Sequence, residues 1–145
     1  MPRPIRTSRK HALGPLADST EFLLRLVPLQ QGEAFRPVDL SPQQYSIMAL
    51  CEYAPGQTQA VVAGTLRILR PNMVVQLRKL EKRKLVERRG PPGKERFLHL
   101  TKSGSTSLQK ARRADGRIES GLKRKLGARG HEQLLSLLRK LADLD

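Results

Sequence analysis

Residues 58–83 read TQAVVAGTLRILRPNMVVQLRKLEKR and contain two short helical patterns joined by a tight connection. The second pattern opens at Pro71, a residue type that suits the first turn of a helix. Met73, Leu77 and Leu80 then recur at intervals of four and three residues, as on the buried face of a helix. Two short helices in this order, of which the second is basic on its outer face, predict a helix-turn-helix.

The segment that follows predicts a β-hairpin. Residues 85–89 and 97–100 are short runs compatible with strands, and residues 90–96 between them read GPPGKER. Glycine and proline in that connection favour a turn and disfavour a helix. A basic hairpin placed directly after a helix-turn-helix is a wing, so this part of the chain predicts a winged helix-turn-helix.

Helices flank this central segment on both sides. Residues 41–44, SPQQ, combine an N-cap, a proline at the first helical position and a capping-box glutamine. Thr101 caps a long helix, which turns near residues 127–130 and leads into a final helix rich in leucine. Near the N-terminus, residues 18–20 supply N-cap chemistry for a first helix, which Pro28 interrupts or kinks.

Charge is distributed unevenly along the chain. The 145 residues contain 28 Lys and Arg against 13 Asp and Glu, which gives a formal net charge of +15. Residues 58–101 hold eleven basic and three acidic side chains, whereas residues 41–57 hold one acidic side chain and no basic one. A positive field that begins so abruptly attracts polyanions, nucleic acid first and an anionic membrane surface second.

Several classes of protein are excluded. No apolar run approaches the roughly 18–20 residues of a membrane span, so we expect no membrane partner. One cysteine and three isolated histidines, at positions 11, 99 and 131, provide neither an internal disulfide nor a metal site. Because no phosphate loop, activated nucleophile or carboxylate pair stands out, we expect no enzyme, no metal and no cofactor.

The outer face of the second helix of the helix-turn-helix carries side chains that bind bases. Asn and Gln pair with adenine, Val contacts the thymine methyl group, and Lys reaches guanine or phosphate. An ordinary solvated face is the alternative, and Val75 argues against it because an outward valine gains nothing in water. The candidate DNA-binding residues on this helix are Asn72, Val75, Gln76, Arg78, Lys79 and Lys82.

Four cations cluster within nine positions around the predicted hairpin. Side chains of this kind suit contacts with phosphate or with the minor groove. Scattered surface charge is the alternative, but it does not require such close spacing. We therefore expect the wing to bind DNA through Arg88, Arg89, Lys94 and Arg96.

The final helix is too apolar to remain uncovered. Leu134, Leu138 and Leu141 form a row within a wide apolar face, which requires a partner. Packing against its own subunit is one solution. We expect a homodimer interface formed by these leucines and Leu23 of the first helix, because two-fold symmetry gives DNA-binding proteins affinity and half-site spacing.

The predicted fold is mainly α with a small β-hairpin wing. Its winged helix-turn-helix core, residues 41–104, is flanked by dimerisation helices, an N-terminal one in residues 18–40 and C-terminal ones in residues 105–145. Residues 1–17 contain four cations, no carboxylate and no apolar run, which predicts a flexible basic arm. A mitochondrial transit peptide of similar composition stays open as the alternative.

Residues 41–104 resemble the winged-helix core of the MarR family of bacterial transcriptional regulators. The resemblance rests on the order and spacing of several short motifs, each of which is weak alone. These motifs are LSPQQ at 40–44, TQ at 58–59, VA at 62–63, LEKR at 80–83, LVERR at 85–89 and LTKSG at 100–104.

The resemblance implies an obligate dimer that binds palindromic half-sites. It also implies an effector pocket between the dimerisation region and the winged lobe, often for small aromatic acids, or else a redox-active cysteine. For Tyr45 and Met48, plain core packing is the alternative. The candidate pocket residues are Phe22, Leu26, Tyr45 and Met48.

The single cysteine, Cys51, is predicted to be a small core residue. A redox sensor requires nearby cations that stabilise the thiolate, and residues 41–57 contain none. A cation brought close by the fold, such as Arg25, would favour the sensor.

Three positions depart from the family pattern. Arg67 and Lys84 stand where the family commonly has glycine, and each costs about 1 kcal/mol if the backbone keeps a left-handed conformation. In the wing, Pro92 stands where the family often has an aspartate that orients the cation two residues later. Either Lys94 or Arg96 then enters the minor groove.

The sequence therefore predicts a dimeric, sequence-specific DNA-binding transcriptional regulator in the bacterial cytoplasm, associated with the nucleoid when bound. We expect a repressor that binds a palindromic operator in double-stranded DNA and is released by a small effector. The alternative is a basic nucleoid-associated or RNA-binding structural module without strict sequence choice, which the net charge of +15 also suits.

Overall fold

The computed structural model describes residues 14–144, except for the side chains of residues 14–15 and 26–34. The chain divides into two compact units, residues 1–33 and residues 34–145. Most of the predicted basic arm lies outside the described residues.

The first unit contains a short 3-10 helix, Gly14–Asp18, and helix α1, Thr20–Gln31. Ser19 caps α1, since its hydroxyl accepts a hydrogen bond from the backbone N–H of Phe22 at 3.3 Å. Of the interruption or kink predicted at Pro28, the interruption is wrong, and the kink stays a prediction. The φ of proline is itself helical, so the backbone continues through Pro28 to the end of α1.

A 3-10 helix, Gly32–Val38, leads into the second unit, which has the predicted mainly α architecture with a small wing. The strands form one antiparallel sheet in the order β1-β3-β2. The two-residue strand β1 was not predicted from the sequence, and it pairs with β3, the second strand of the wing. The elements are α2 (Pro42–Tyr53), β1 (Gln57–Thr58), α3 (Gln59–Thr65), α4 (Arg70–Lys82), β2 (Val86–Arg89), β3 (Phe97–Leu100) and α5 (Lys102–Leu141).

Side-chain caps fix the starts of three helices at the predicted positions. Ser41 forms a full capping box with Gln44, with hydrogen bonds of 3.1 and 3.0 Å. Thr58 caps α3 and Thr101 caps α5, each through its hydroxyl oxygen. Each cap satisfies backbone N–H groups that would otherwise lack a partner. The predicted helix starts at these three residues are confirmed.

One aliphatic core holds the second unit together. Phe35 and Leu40 are buried in it, so the segment before α2 packs into this core. The first half of α5 also belongs to it. The core residues with the least exposure are Ile47, Met48, Cys51, Val62, Met73, Leu77, Leu80, Leu98, Leu108, Ala111 and Ala114.

Helix α5 is interrupted at Gly127, as the sequence predicts. Gly127 has φ 71° and ψ 165°, values that glycine adopts without a side-chain clash. Beyond this point, His131 is buried, and its Nε2 lies 2.7 Å from Glu119 Oε2 of the preceding half of the helix. This contact ties the two halves of α5 together across the interruption.

The two residues that stand where the family commonly has glycine both have a left-handed backbone conformation. Arg67, between α3 and α4, has φ 52°, and Lys84, after α4, has φ 56°. Both therefore occupy the left-handed region that favours glycine.

Candidate DNA interface

Helix α4 has one buried face and one exposed cationic face. Met73, Leu77 and Leu80 are fully buried, as predicted, and they orient the opposite side of the helix outward. Val75 lies near the centre of that outer side and is 46% exposed. The exposed predicted side chains around it are Asn72, Arg78, Lys79 and Lys82.

Gln76 lies at the edge of this face and is half-buried. Its Oε1 is buried and has no hydrogen-bond partner among the residues that the structure describes. A buried acceptor without a partner costs roughly 1–3 kcal/mol. A rotation of the side chain toward a base would relieve that cost.

Two residues predicted to lie in the connection between the helices stand instead at the start of α4. Leu69 occupies the N-cap position and is 78% exposed, and Arg70 follows it, also exposed. The first residues of a recognition helix are those that approach base edges in helix-turn-helix proteins. The feature of the sequence that could have assigned them to the helix start is their position just before Pro71, since proline is common in the first turn.

The wing cations occupy different environments. Arg88 Nε lies 2.7 Å from Glu81 Oε1 of α4, and both side chains are mostly covered. Arg96 donates a hydrogen bond to the carbonyl oxygen of Arg88 at 2.8 Å. Arg88 is therefore engaged with α4 inside the protein, and its predicted contact with DNA stays a prediction.

The other two wing cations are more open. Arg89 is exposed and pairs with Glu87 of the same strand at 2.7 Å. Lys94 is exposed in the loop at the tip of the wing, where Gly90 and Gly93 both have positive φ. Within the described residues, the ammonium of Lys94 has no ion-pair partner.

The candidate pocket residues fall into both units. In the second unit, Met48 is fully buried in the core. Tyr45 is half-buried, stacks at 5.1 Å on Phe35, and donates a hydrogen bond to Asp115 at 3.1 Å. In the first unit, Phe22 is half-buried, and the side chain of Leu26 lies outside the described residues.

Cys51 is 1% exposed, in agreement with the predicted core role. Burial raises the pKa of its thiol to about 11. At neutral pH the sulfur therefore stays protonated, a state that reacts slowly with oxidants.

The second half of α5 leaves leucine side chains uncovered. Leu138 and Leu141 are exposed, whereas Leu134 is half-buried. Leu126, Leu137 and Leu144 are exposed as well, and so is Leu23 on α1.

The described residues contain neither a metal-binding cluster nor a helix that could cross a membrane. In residues 14–144, no cluster of three His, Cys, Asp or Glu side chains is arranged to hold a metal ion. Among the described helices, none has the length and apolar composition required to cross a membrane.

Comparison with known proteins identifies the family. The MarR family model matches residues 38–96. Structures of the transcriptional repressor CouR, one bound to p-coumaroyl-CoA and one bound to a 23-mer DNA duplex, are 35% and 34% identical to this chain. In both cases the match covers 90% of this chain and 96% of the CouR chain, with TM-scores of 0.81 and 0.80. The chain belongs to the MarR family.

More distant members of the MarR family share the fold. The PcaV regulator from Streptomyces coelicolor, solved with its natural ligand, is 20% identical, with a TM-score of 0.79 and coverage of 88% of this chain and 94% of PcaV. MepR from S. aureus, solved with DNA, is 22% identical, with a TM-score of 0.74 and coverage of 88% and 98%. No curated protein sequence matches the chain.

Membership of the MarR family makes the chain a DNA-binding transcriptional regulator. The family consists of regulators rather than enzymes. The alternative of a structural nucleic-acid module without sequence choice is not favoured by these relationships.

Proposed function

We propose that this MarR-family regulator is a homodimeric repressor that inserts α4 of each subunit into the major groove of a palindromic operator. The observation that carries the proposal is the outer face of α4, where exposed Val75 lies among Asn72, Arg78 and Lys79. Cations supply affinity for phosphate, and Asn and Val supply base recognition. A purely solvated helix face does not require this combination.

The wing contributes contacts with the DNA backbone and the minor groove. Arg89 lies exposed on β2 and binds phosphate, whereas Lys94 at the tip of the wing enters the minor groove. The engagement of Arg96 with the carbonyl of Arg88 favours Lys94 for that role.

The leucine-rich face of α5 forms the dimer interface. Leu138 and Leu141 are exposed in a single chain, and a second copy would cover them. The regulator works in the cytoplasm and is associated with the nucleoid when bound to its operator.

An aromatic effector releases the repressor from DNA. CouR, at 35% identity, was solved with p-coumaroyl-CoA, and this chain aligns with it over nearly the whole length. We therefore place the effector of this protein in the class of aromatic acids and their thioesters. Tyr45 is the predicted pocket residue that offers a polar atom, its hydroxyl, which donates to Asp115.

The test is a fluorescence anisotropy titration on a palindromic duplex that the protein selects from a random library, with bulk DNA as competitor. We expect preference for the selected duplex by a factor of about 10³ or more at physiological salt. A ratio near one contradicts sequence-specific regulation. Addition of p-coumaroyl-CoA, p-coumarate or CoA alone then shows which part of the effector releases DNA.

Two matched variants separate base recognition from phosphate contact. Lys79→Ala is expected to cost about 1–3 kcal/mol on the selected duplex only. Arg89→Ala is expected to weaken binding to all DNA and to reduce the salt slope by about 0.9. Equal losses on selected and random DNA for both variants contradict the assignment.

Leu138→Glu, checked by light scattering, is expected to yield monomers because it buries an unpaired carboxylate in the interface.

A further inference from the structure

Two apolar side chains interrupt the cationic surface of α4. Leu69 is 78% exposed at the N-cap of the helix, and Val75 is 46% exposed on its outer side. Neither belongs to the core. Val75 lies on the side of α4 opposite Met73, Leu77 and Leu80, and Leu69 lies at the N-terminal end of the helix, one turn before Met73. Single exposed apolar residues are ordinary on protein surfaces. Leu69 and Val75 are exposed among cations suited to phosphate, and their exposure there requires a further explanation.

The cations around the two residues identify what covers them. Arg70 follows Leu69 directly, and Arg78 and Lys79 lie within one turn of Val75. A surface with this charge approaches DNA, and the apolar groups on it are then pressed against base edges. In the major groove, the C5 methyl group of thymine is the apolar feature that the base pairs display.

We infer that Leu69 and Val75 contact thymine methyl groups and thereby fix two A·T positions in each operator half-site. This inference rests on the proposed insertion of α4 into the major groove. Val75 lies six positions after Leu69, a rise of about 9 Å along a helix. Since successive base pairs are about 3.4 Å apart, the two positions lie two to three base pairs from each other.

The experiment compares selections of operators from two random duplex libraries, one synthesised with thymine and one with uracil. Uracil keeps the hydrogen-bonding groups of thymine and lacks only its methyl group. With thymine, we expect enrichment of A·T at two positions in each half-site with the spacing given above. With uracil, the preference at those positions disappears.

Single replacements in the selected duplex measure each contact. Thymine to uracil at either position is expected to weaken binding about fourfold, the effect of one buried methyl group. Leu69→Ala and Val75→Ala each remove the difference between thymine and uracil at one position and leave it intact at the other. Replacement of the A·T pair by a pair with 5-methylcytosine restores part of the affinity, because its methyl group occupies the same place in the groove.

Val61→Ala is the matched control. Val61 is 48% exposed on α3, nearly the same as Val75, and it lies outside the outer face of α4. The Val61→Ala variant is expected to keep both thymine preferences. All three variants change exposed side chains, and their melting temperatures confirm folding.

The outcomes separate this inference from the proposed function. If neither library yields an enriched sequence, the proposed operator recognition is wrong. If sequences are enriched but thymine and uracil bind equally, the methyl contacts are wrong and operator recognition stands. If Val61→Ala abolishes a thymine preference that Val75→Ala leaves intact, the assignment to α4 is overturned.

Discussion

Arg88 Nε on the first strand of the wing lies 2.7 Å from Glu81 Oε1 in the last turn of α4. The two side chains are 26% and 30% exposed, so the ion pair is partly shielded from water. It joins the two elements that we assign to the DNA interface. The angle between recognition helix and wing therefore depends on an interaction inside the protein.

Removal of this ion pair is expected to cost stability and DNA affinity together. In a double-mutant cycle of Arg88→Ala and Glu81→Ala, we expect a coupling energy of about 1 kcal/mol from urea denaturation. Operator affinity falls in both single variants because the wing loses its position. Loss of affinity on Glu81→Ala is informative, since removal of a carboxylate would otherwise favour binding to DNA.

The control for this prediction is the exposed pair on the same strand. Arg89 and Glu87 also lie 2.7 Å apart, but their side chains are 61% and 47% exposed. Their coupling energy is expected to be a few tenths of a kcal/mol because water screens the pair. Equal coupling in the two cycles would contradict the role of Arg88 as a positioning residue.

Glycine at the two left-handed positions is expected to stabilise the protein unequally. Lys84→Gly removes the strain of φ 56° and raises the free energy of unfolding by about 1 kcal/mol. Arg67→Gly relieves similar strain at φ 52°, but it also removes the hydrogen bond that Arg67 donates to the Ala142 carbonyl at 3.2 Å. The gain at Arg67 is therefore smaller. Denaturation midpoints measure both, and a larger gain at Arg67 would contradict the reasoning.

Two glycines of α5 are expected to respond in opposite directions to alanine. A Cβ on Gly104 would lie 2.0 Å from the carbonyl oxygen of Leu85, so Gly104→Ala forces Leu85, the residue before β2, away from the helix. We expect a loss of about 3 kcal/mol in the free energy of unfolding. Gly116 has open space around it, and Gly116→Ala is expected to gain about 0.5–1 kcal/mol through helix propensity. Thermal unfolding of both variants checks the contrast.

The sequence predicted elements whose determinants are local. The capping box at Ser41 and the apolar spacing of Met73, Leu77 and Leu80 depend on neighbours within one or two turns, and the structure confirms them. The pairing of β1 with β3 depends on residues far apart in the chain, such as Gln57 and Leu98, which are 41 positions apart, and no local pattern marks it.

The same distinction applies to the site. Which side of α4 faces outward follows from helical periodicity, and Val75 is exposed as predicted. The partner of Arg88 does not follow, because Glu81 lies on a different element and meets it only in the folded chain. A count of cations cannot separate one that is engaged within the protein from one that is open at the tip of the wing, such as Lys94.

Stability is expected to depend on the protonation of Cys51 at alkaline pH. Burial raises the pKa of the folded thiol to about 11, from an ordinary value of 9.0. Between these values the unfolded chain has released the proton and the folded chain retains it, so stability falls as pH rises. Cys51→Ala is expected to lose less stability than the wild type between about pH 9 and about pH 11, measured by urea denaturation. Equal losses of stability in the wild type and in Cys51→Ala would contradict the burial of the thiol.

Oxidation of Cys51 is expected to have no effect on the operator complex under native conditions. The thiol is buried and protonated, so peroxide at neutral pH should leave DNA binding unchanged in wild type and in Cys51→Ser. A gel-shift titration checks this. If peroxide releases the wild type from DNA but not Cys51→Ser, Cys51 is the sensor and its assignment to the core is overturned.

Gln76 is expected to show a conflict between stability and operator binding. Its buried Oε1 lacks a partner within residues 14–144, so Gln76→Met, which keeps the length of the side chain, removes that cost. We expect the free energy of unfolding to rise by about 1 kcal/mol. Specific affinity for the selected operator falls by about 1–3 kcal/mol because the contact with adenine is lost, while affinity for random DNA is unchanged. A variant that is more stable and binds the operator normally would exclude Gln76 from base recognition.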